Sequence, residues 1–154
     1  MTDNARLIDT LNAALSEEWI AYYQQWVYAQ MIRGPRHAEI RASLINRTHD
    51  ELRHAQILAE RIIELGGVPA LTPGEWLQRA RCVYDAPTSY DSPQLLRSLV
   101  IGASCLAQRY EELSENTRGS DPVTSRLADA MFADHSDHER RLQSVLDGIL
   151  AAAR

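Results

Sequence analysis

The stretch Leu44-Ile-Asn-Arg-Thr-His-Asp-Glu-Leu-Arg-His-Ala-Gln-Ile-Leu58 decides how this chain folds. At helical periodicity its inner stripe reads Leu44, Arg47, Glu51, His54 and Leu58, so ionisable groups sit between apolar ends. Glu51 and His54 are three residues apart and project from one helix face. A buried, unpaired carboxylate is costly, and buried charges are normally paired or bound to metal. The stretch therefore predicts one helix of a bundle with a polar layer inside it, and Glu51 needs partners from other helices.

Three further stretches have the same period. The first helix, about residues 4–32, has an inner stripe of Ile8, Leu11, Leu15, Glu18, Tyr22, Gln25 and Ala29, with Asp3 or Asn4 available to cap it. It stops at Gly34-Pro35. The second, about 37–65, continues the opening stretch to Ile62 and stops at Gly66-Gly67, a helix C-terminal signal. The third, about 94–117, follows Ser92-Pro93 and reads Leu96, Leu99, Ala103, Leu106, Tyr110 and Leu113. The fourth, about 122–151, reads Leu127, Met131, His135, His138, Leu142, Val145 and Ile149. Between the second and third lie 26 residues, Val68 to Pro93, with four of the six prolines and one short helix that Thr72 would cap. That connection is too long for a tight turn, so the middle two helices need not be antiparallel neighbours. The expected class is all-α, an antiparallel four-helix bundle with one long crossover.

The polar positions fall at one height. In an antiparallel hairpin, residues equidistant from the turn lie level, and Glu18 and Glu51 are symmetric about the Gly34-Pro35 turn. Reflecting His135 and His138 across the Gly119–Asp121 turn puts them level with residues 101 to 105. At roughly 1.5 Å rise per residue, an error of two residues is only about 3 Å. His135-Ser-Asp-His138 is a second pair with three-residue spacing. Carboxylates and imidazoles arriving together suit Fe, Mn, Zn or Cu. The candidate metal donors are Glu18, Glu51, His54, His135 and His138. Alone, each has a bland reading as a solvated or structural residue; their shared level argues otherwise.

Neighbouring residues leave choices open. Arg47 either pairs with Glu51, offsetting metal charge, or snorkels to the bundle end. Gln25 and Tyr22 could hydrogen-bond donor groups, with core filling favoured for Tyr22. Asp134 and Asp137 are expected on the solvated face, and His37 and His49 at the surface or an interface. Trp19, Tyr23 and Trp26 could form a helix-pair interface or cover the crossover. Cys82 and Cys105 have no metal-binding spacing and are expected as two reduced, mostly buried thiols.

Composition excludes other classes. The net charge of −5 and the pI near 5.5 argue against non-specific nucleic-acid binding and against anionic membrane surfaces. No apolar run approaches the roughly 20 residues of a membrane span. Met1–Arg6 lacks a signal-peptide pattern, so the expected location is cytoplasmic. The 16 basic residues are all Arg, a composition bias with no mechanistic content.

Leu11-Asn-Ala-Ala-Leu-Ser-Glu-Glu-Trp-Ile-Ala-Tyr-Tyr-Gln-Gln25 resembles the first helix of bacterioferritins and of the Dps-like branch of ferritins. Asp50-Glu-Leu-Arg-His-Ala55, followed by Glu60-Arg-Ile-Ile-Glu-Leu-Gly-Gly-Val-Pro69, resembles their second helix and its exit. Asp121-Pro-Val-Thr124 and Asp137-His-Glu139 are similar to the Dps-like fourth helix. The resemblance implies a single ferritin-like domain over 1–154, a homo-oligomer (dimer or cage), and a ferroxidase-like or other metal-dependent oxidoreductase. Its metal would be iron first, with Zn, Mn or Cu as alternatives, and its other partners dioxygen or peroxide. Leu52 stands where bacterioferritins often carry a haem-ligating methionine, so no haem is implied. No fifth helix follows the fourth, which favours the Dps-like branch.

Glu18, Glu51, His54 and His138 match family ligand positions. Two positions depart: the third-helix glutamate falls on Ala103, and the fourth-helix glutamate on His135. The family plan of four carboxylates and two imidazoles neutralises two divalent ions. Two carboxylates and three imidazoles neutralise one, and an imidazole does not bridge two metals while neutral. The altered set is therefore expected to be mononuclear and shifted toward nitrogen-preferring metals. Three functions follow: an iron- and oxygen-handling oxidoreductase, a metal-binding or storage protein without turnover, or a structural bundle whose polar groups satisfy one another. Direct Glu–His contacts are the mark of the last.

Overall fold

The computed structural model describes residues 3–154. Met1 and Thr2, with which the N-terminal pattern begins, lie outside them. The helices are α1 (Asp3–Met31), α2 (His37–Glu64), α3 (Pro73–Arg79), α4 (Ser92–Thr117) and α5 (Pro122–Ala152). α1 pairs with α2 and α4 with α5, two hairpins joined by the crossover that carries α3 along α1. The architecture is all-α, a four-helix bundle with a long second connection. No helix is long and apolar enough to cross a membrane, among the described residues. Asp3 and Asn4 both lie within α1, and Asn4 reaches across to donate to the Leu65 carbonyl at 3.1 Å.

The first turn is built for its task. Gly34 has φ +91°, a left-handed conformation that costs glycine nothing. Here the end of the crossover also docks: the Arg33 amide donates to the Tyr90 carbonyl and the Ser92 amide to the Arg33 carbonyl, both at 2.9 Å. α4 thus starts beside the α1–α2 turn. At the opposite end, Asp121 caps α5 by accepting from the Val123 and Thr124 amides, each at 3.2 Å. Arg61, in the last turn of α2, donates to Asp121 at 2.7 Å and to the Thr124 hydroxyl at 3.0 Å, joining the two hairpins.

The apolar core comes in two parts. Ile32, Ile40, Leu44, Leu96, Leu99 and Leu146 pack at the Gly34 end, and Leu11, Leu15, Leu58, Ile62, Leu113 and Met131 at the other. Between them lies a layer with Glu18, Glu51, His54 and His135, all buried.

α1 is buried on a second face, which single-stripe reasoning missed. Asn12, Glu17 and Gln24 are buried and polar, and each serves the crossover backbone. Asn12 donates to the Val68 carbonyl at 3.0 Å and accepts from the Ala70 amide at 2.8 Å. Glu17 accepts from the Arg81 and Cys82 amides at 2.7 and 3.0 Å, and Gln24 from the Asp85 amide at 2.9 Å. An irregular segment lying against a helix must find partners for its amides, and these side chains provide them. Trp19 stacks on Trp76, ring centroids 5.4 Å apart, and Tyr23 lies 5.9 Å from Tyr84, so these aromatics cover the crossover.

The cysteines correct an expectation. Cys82 and Cys105 are not free thiols but a disulfide between the crossover and α4, with Cα atoms 5.9 Å apart. The sequence argument rested on motif and compartment. The distance is set by Glu17, which holds residues 81 and 82 against the bundle.

Two outcomes follow. Asp121→Ala should cost about 1–2 kcal/mol at pH 7, the range for a lost N-cap, measured by urea denaturation. Burial pushes the Asp121 carboxyl up, but the Thr124 and Arg61 hydrogen bonds outweigh it and bring it down to about 2. Its contribution is therefore present above the unfolded value near 3.9 and lost as pH falls through about 2, so the gap between variant and parent should narrow below pH 4. Glu17→Ala leaves two amides without their acceptor and should cost about 2 kcal/mol or more, with faster hydrogen exchange at Arg81 and Cys82 and little change at Leu58.

Candidate metal centre

The two hairpins bring one donor atom each of Glu18 (α1), Glu51 and His54 (α2) and His135 (α5) within 4.8 Å of one another. His135 Nε2 lies 2.9 Å from Glu18 Oε1 and 3.9 Å from Glu51 Oε2. His54 Nδ1 lies 3.3 Å from Glu51 Oε2 and 3.4 Å from Glu18 Oε2. Glu18, Glu51 and His135 are fully buried. Of the five residues picked from the sequence, four meet here.

His138 does not join them. One turn along α5 it is half-buried, and its imidazole makes no hydrogen bond among the described residues. It lines a cavity of about 40 Å³ beside Glu51 and His135, walled by Leu99, Gly102, Ala103 and Leu106. Ala103, the position expected from the resemblance to carry a third-helix glutamate, lines this space. Burial, then the neighbouring Arg47 charge, push the His138 pKa down to about 3, so its ring is neutral at physiological pH.

A second ring of polar groups holds the four. Arg47 turns inward: Nε donates to Glu51 Oε1 at 2.8 Å, Nη1 pairs with Asp134 at 2.7 Å, and Nη2 meets His135 Nδ1 at 3.1 Å. This decides between the two placements open from the sequence. Gln25 Nε2 donates to Glu51 Oε1 at 2.8 Å. The Tyr110 hydroxyl donates to Glu18 Oε1 in a short hydrogen bond. Tyr22, by contrast, packs edge-on to Trp19. Asp134 corrects the expectation of a solvated face: it is only partly exposed, and its Oδ2 lies 3.1 Å from His54 Nε2. Asp137 is the solvent-side residue, paired with Arg140 and Arg141, and His37 and His49 are exposed.

Two of these roles went unforeseen. The signal for Tyr110 was a phenol on an inner stripe, since a buried hydroxyl needs a partner. Asp134 lies on the edge of α5 that faces α2, and no single-helix pattern marks that edge.

Electrostatics follow from these contacts. Burial pushes the Glu18 pKa up, but His135 and the hydrogen bonds from His135 and His54 outweigh it and hold the carboxyl well below its usual range. His54 is pushed the other way, to about 11: burial lowers it, and Asp134, Glu18 and Glu51 more than reverse this. Burial and the Glu18 charge raise the Tyr110 phenol well above its ordinary value, keeping it a donor.

The residues fit a metal ion. Glu18 Oε2 is buried with only the long 3.4 Å contact to His54 Nδ1, and Gln25 Oε1 is buried without a hydrogen bond. A carboxylate oxygen without a well-formed hydrogen bond, facing a second carboxylate and two imidazoles in a buried layer, belongs to a donor set for a divalent first-row ion.

The family model for the ferritin-like domain matches residues 8–151. A solved structure described as a dodecameric thioferritin, the bacterioferritin-related protein of Bacteroides fragilis, is 43% identical, covers 99% of this chain and 90% of its own, and superposes with a TM-score of 0.96. The DNA protection during starvation protein of Pyrococcus furiosus is 27% identical over 148 residues, 95% of this chain and 80% of that protein. The Dps protein of Vibrio cholerae O1, described as one of a broad superfamily of ferritin-like diiron-carboxylate proteins, is 24% identical over 93% of this chain and 90% of its own, with a TM-score of 0.86, a likeness of fold alone. On the family match and the 43% identity to a bacterioferritin-related protein, this chain belongs to the ferritin-like family.

Proposed function

We propose that this protein takes up ferrous iron at Glu18, Glu51, His54 and His135, one ion per chain, and handles it with dioxygen or peroxide as an oxidoreductase of the ferritin-like type. The observation that carries the reading is Glu18 Oε2, buried among two imidazoles and a second carboxylate with only a long 3.4 Å contact to His54. Family membership and the ferritin and Dps neighbours support iron as the ion. A bound iron ion supplies one-electron redox chemistry. The chain's own residues supply the rest. Gln25 and Arg47 orient Glu51, Tyr110 orients Glu18, and the apolar layers above and below exclude water. Neutral His138 and the small cavity beside Ala103 leave space on one side for a small oxidant. Assembly as a homo-oligomeric cage is part of the same reading, supported by the dodecameric relative from Bacteroides fragilis.

A second reading has its own observation. His135 touches Glu18 directly, and Arg47 pairs with Glu51, so most of the layer satisfies itself as a structural polar core would. Against it stand buried oxygens of Glu18, Gln25 and Asp134 that lack a well-formed hydrogen bond, which a purely structural layer gains nothing by keeping. A third, metal storage without turnover on Zn or Cu, differs only in redox behaviour.

Metal analysis after purification without added metal separates these. The expected result is about one ion per chain and ferrous-dependent oxygen consumption. Metal without consumption selects storage, and a protein that binds no divalent ion is the structural core. Saturating metal at about 100 times Kd should stabilise the fold by about 2.7 kcal/mol, a rise in Tm of roughly 5–10 °C. His54→Ala or Glu51→Ala should weaken binding at least about 100-fold.

Metal binding should also depend on pH. With its pKa at about 11, His54 must release a proton before its nitrogen can ligate at neutral pH. Protons therefore compete with the ion, and Zn²⁺ affinity should rise by about tenfold per pH unit from 6 to 8 in calorimetric titrations. A flat profile would remove His54 from the donor set.

A further inference from the structure

The Arg47 guanidinium occupies a coordination shell. Its three nitrogens point at an oxygen of Glu51 (2.8 Å), an oxygen of Asp134 (2.7 Å) and Nδ1 of His135 (3.1 Å), with Asp50 further out at 3.6 Å. Two carboxylates and an imidazole converging on one point are the surroundings of a divalent ion, and the group found there is a permanent cation. The side chain is buried, so its charge is little screened. His135 lies between the two positions, its Nε2 toward Glu18 and its Nδ1 toward Arg47. Guanidinium nitrogens only donate, so His135 Nδ1 is the acceptor in this contact, and its Nε2 holds the ring proton toward Glu18 Oε1 and gives it up to solvent when an ion takes that place.

We propose that Arg47 is the built-in second cation of this centre, and that it restricts the site to one metal ion by occupying the place a second would take between Glu51, His135 and Asp134. The proposal rests on the metal reading above and adds a determinant to it. Charge agrees with geometry. Glu18, Glu51 and Asp134 carry three negative charges when ionised, Arg47 returns one, and the remaining two match a single divalent ion. Asp134, which sequence periodicity places outside the site, becomes a latent ligand of the blocked position. Its Oδ2 lies 2.7 Å from Arg47 Nη1 and 3.1 Å from His54 Nε2, at the edge of the blocked position.

The test counts ions. Metal-free protein is loaded with Zn²⁺, freed of excess by gel filtration, and analysed for metal per chain. A parallel sample loaded with Mn²⁺ is read by electron paramagnetic resonance, which separates isolated ions from coupled pairs. Wild type should hold one Zn²⁺ and show isolated Mn²⁺. Arg47→Met should rise to two ions per chain with a coupled Mn²⁺ signal, His135 losing its remaining ring proton to solvent and bridging the ions as an imidazolate, and adding Asp134→Asn to it should return the count to one. Arg47→Lys, which keeps the charge, should stay at one. Two ions in wild type, two in Arg47→Lys, or one in folded Arg47→Met would each overturn the role given to Arg47 while leaving metal binding intact. No ion in wild type would sink the metal reading itself, and this proposal with it. Were Arg47→Met unable to fold, the wild-type spectrum and the Arg47→Lys count would still decide.

Discussion

Charge balance in a buried layer is the constraint on which this structure depends. Glu18 and Glu51 are fully buried between two apolar clusters, where solvent cannot screen them. Each must meet positive charge or hydrogen-bond donors. The chain brings Arg47, His54, Gln25, Tyr110 and His135 to them from all four long helices. One oxygen of Glu18 is still left over. Helix lengths, turn positions and the level of the hairpins all serve to make these groups arrive at the same depth.

The crossover solves a related problem. A segment of more than twenty residues with little regular structure carries many backbone amides that must be satisfied once it packs down. α1 answers with a second polar face, so this helix is buried on two sides and lacks the simple amphipathic pattern of its neighbours. The Cys82–Cys105 disulfide then closes the crossover onto α4, near the cavity left by Ala103. Glu17 lies in both stories: it holds the backbone at Cys82 and lines that same cavity.

The polar layer is rich in nitrogen and includes a guanidinium. Ala103 lines a small cavity beside it. His135 presents its two nitrogens in opposite directions, to Glu18 and to Arg47. Arg47 and Asp134 enter as an ion pair that no ligand motif records. The fold tolerates this because the layer requires only that opposite charges balance there, not that any particular group supplies them.

The four helices, their order, the long crossover and the shared level of Glu18, Glu51, His54 and His135 were legible in the sequence. Helical periodicity and turn symmetry are local properties, and arithmetic along an antiparallel hairpin converts them to height. The inward turn of Arg47, the part played by Asp134, the exclusion of His138 from the cluster and the pairing of Cys82 with Cys105 were not legible. Each depends on where a side chain at the edge of one helix meets another helix or the crossover. That is fixed by the rotation and spacing of packed elements, and periodicity along a single helix carries no information about either.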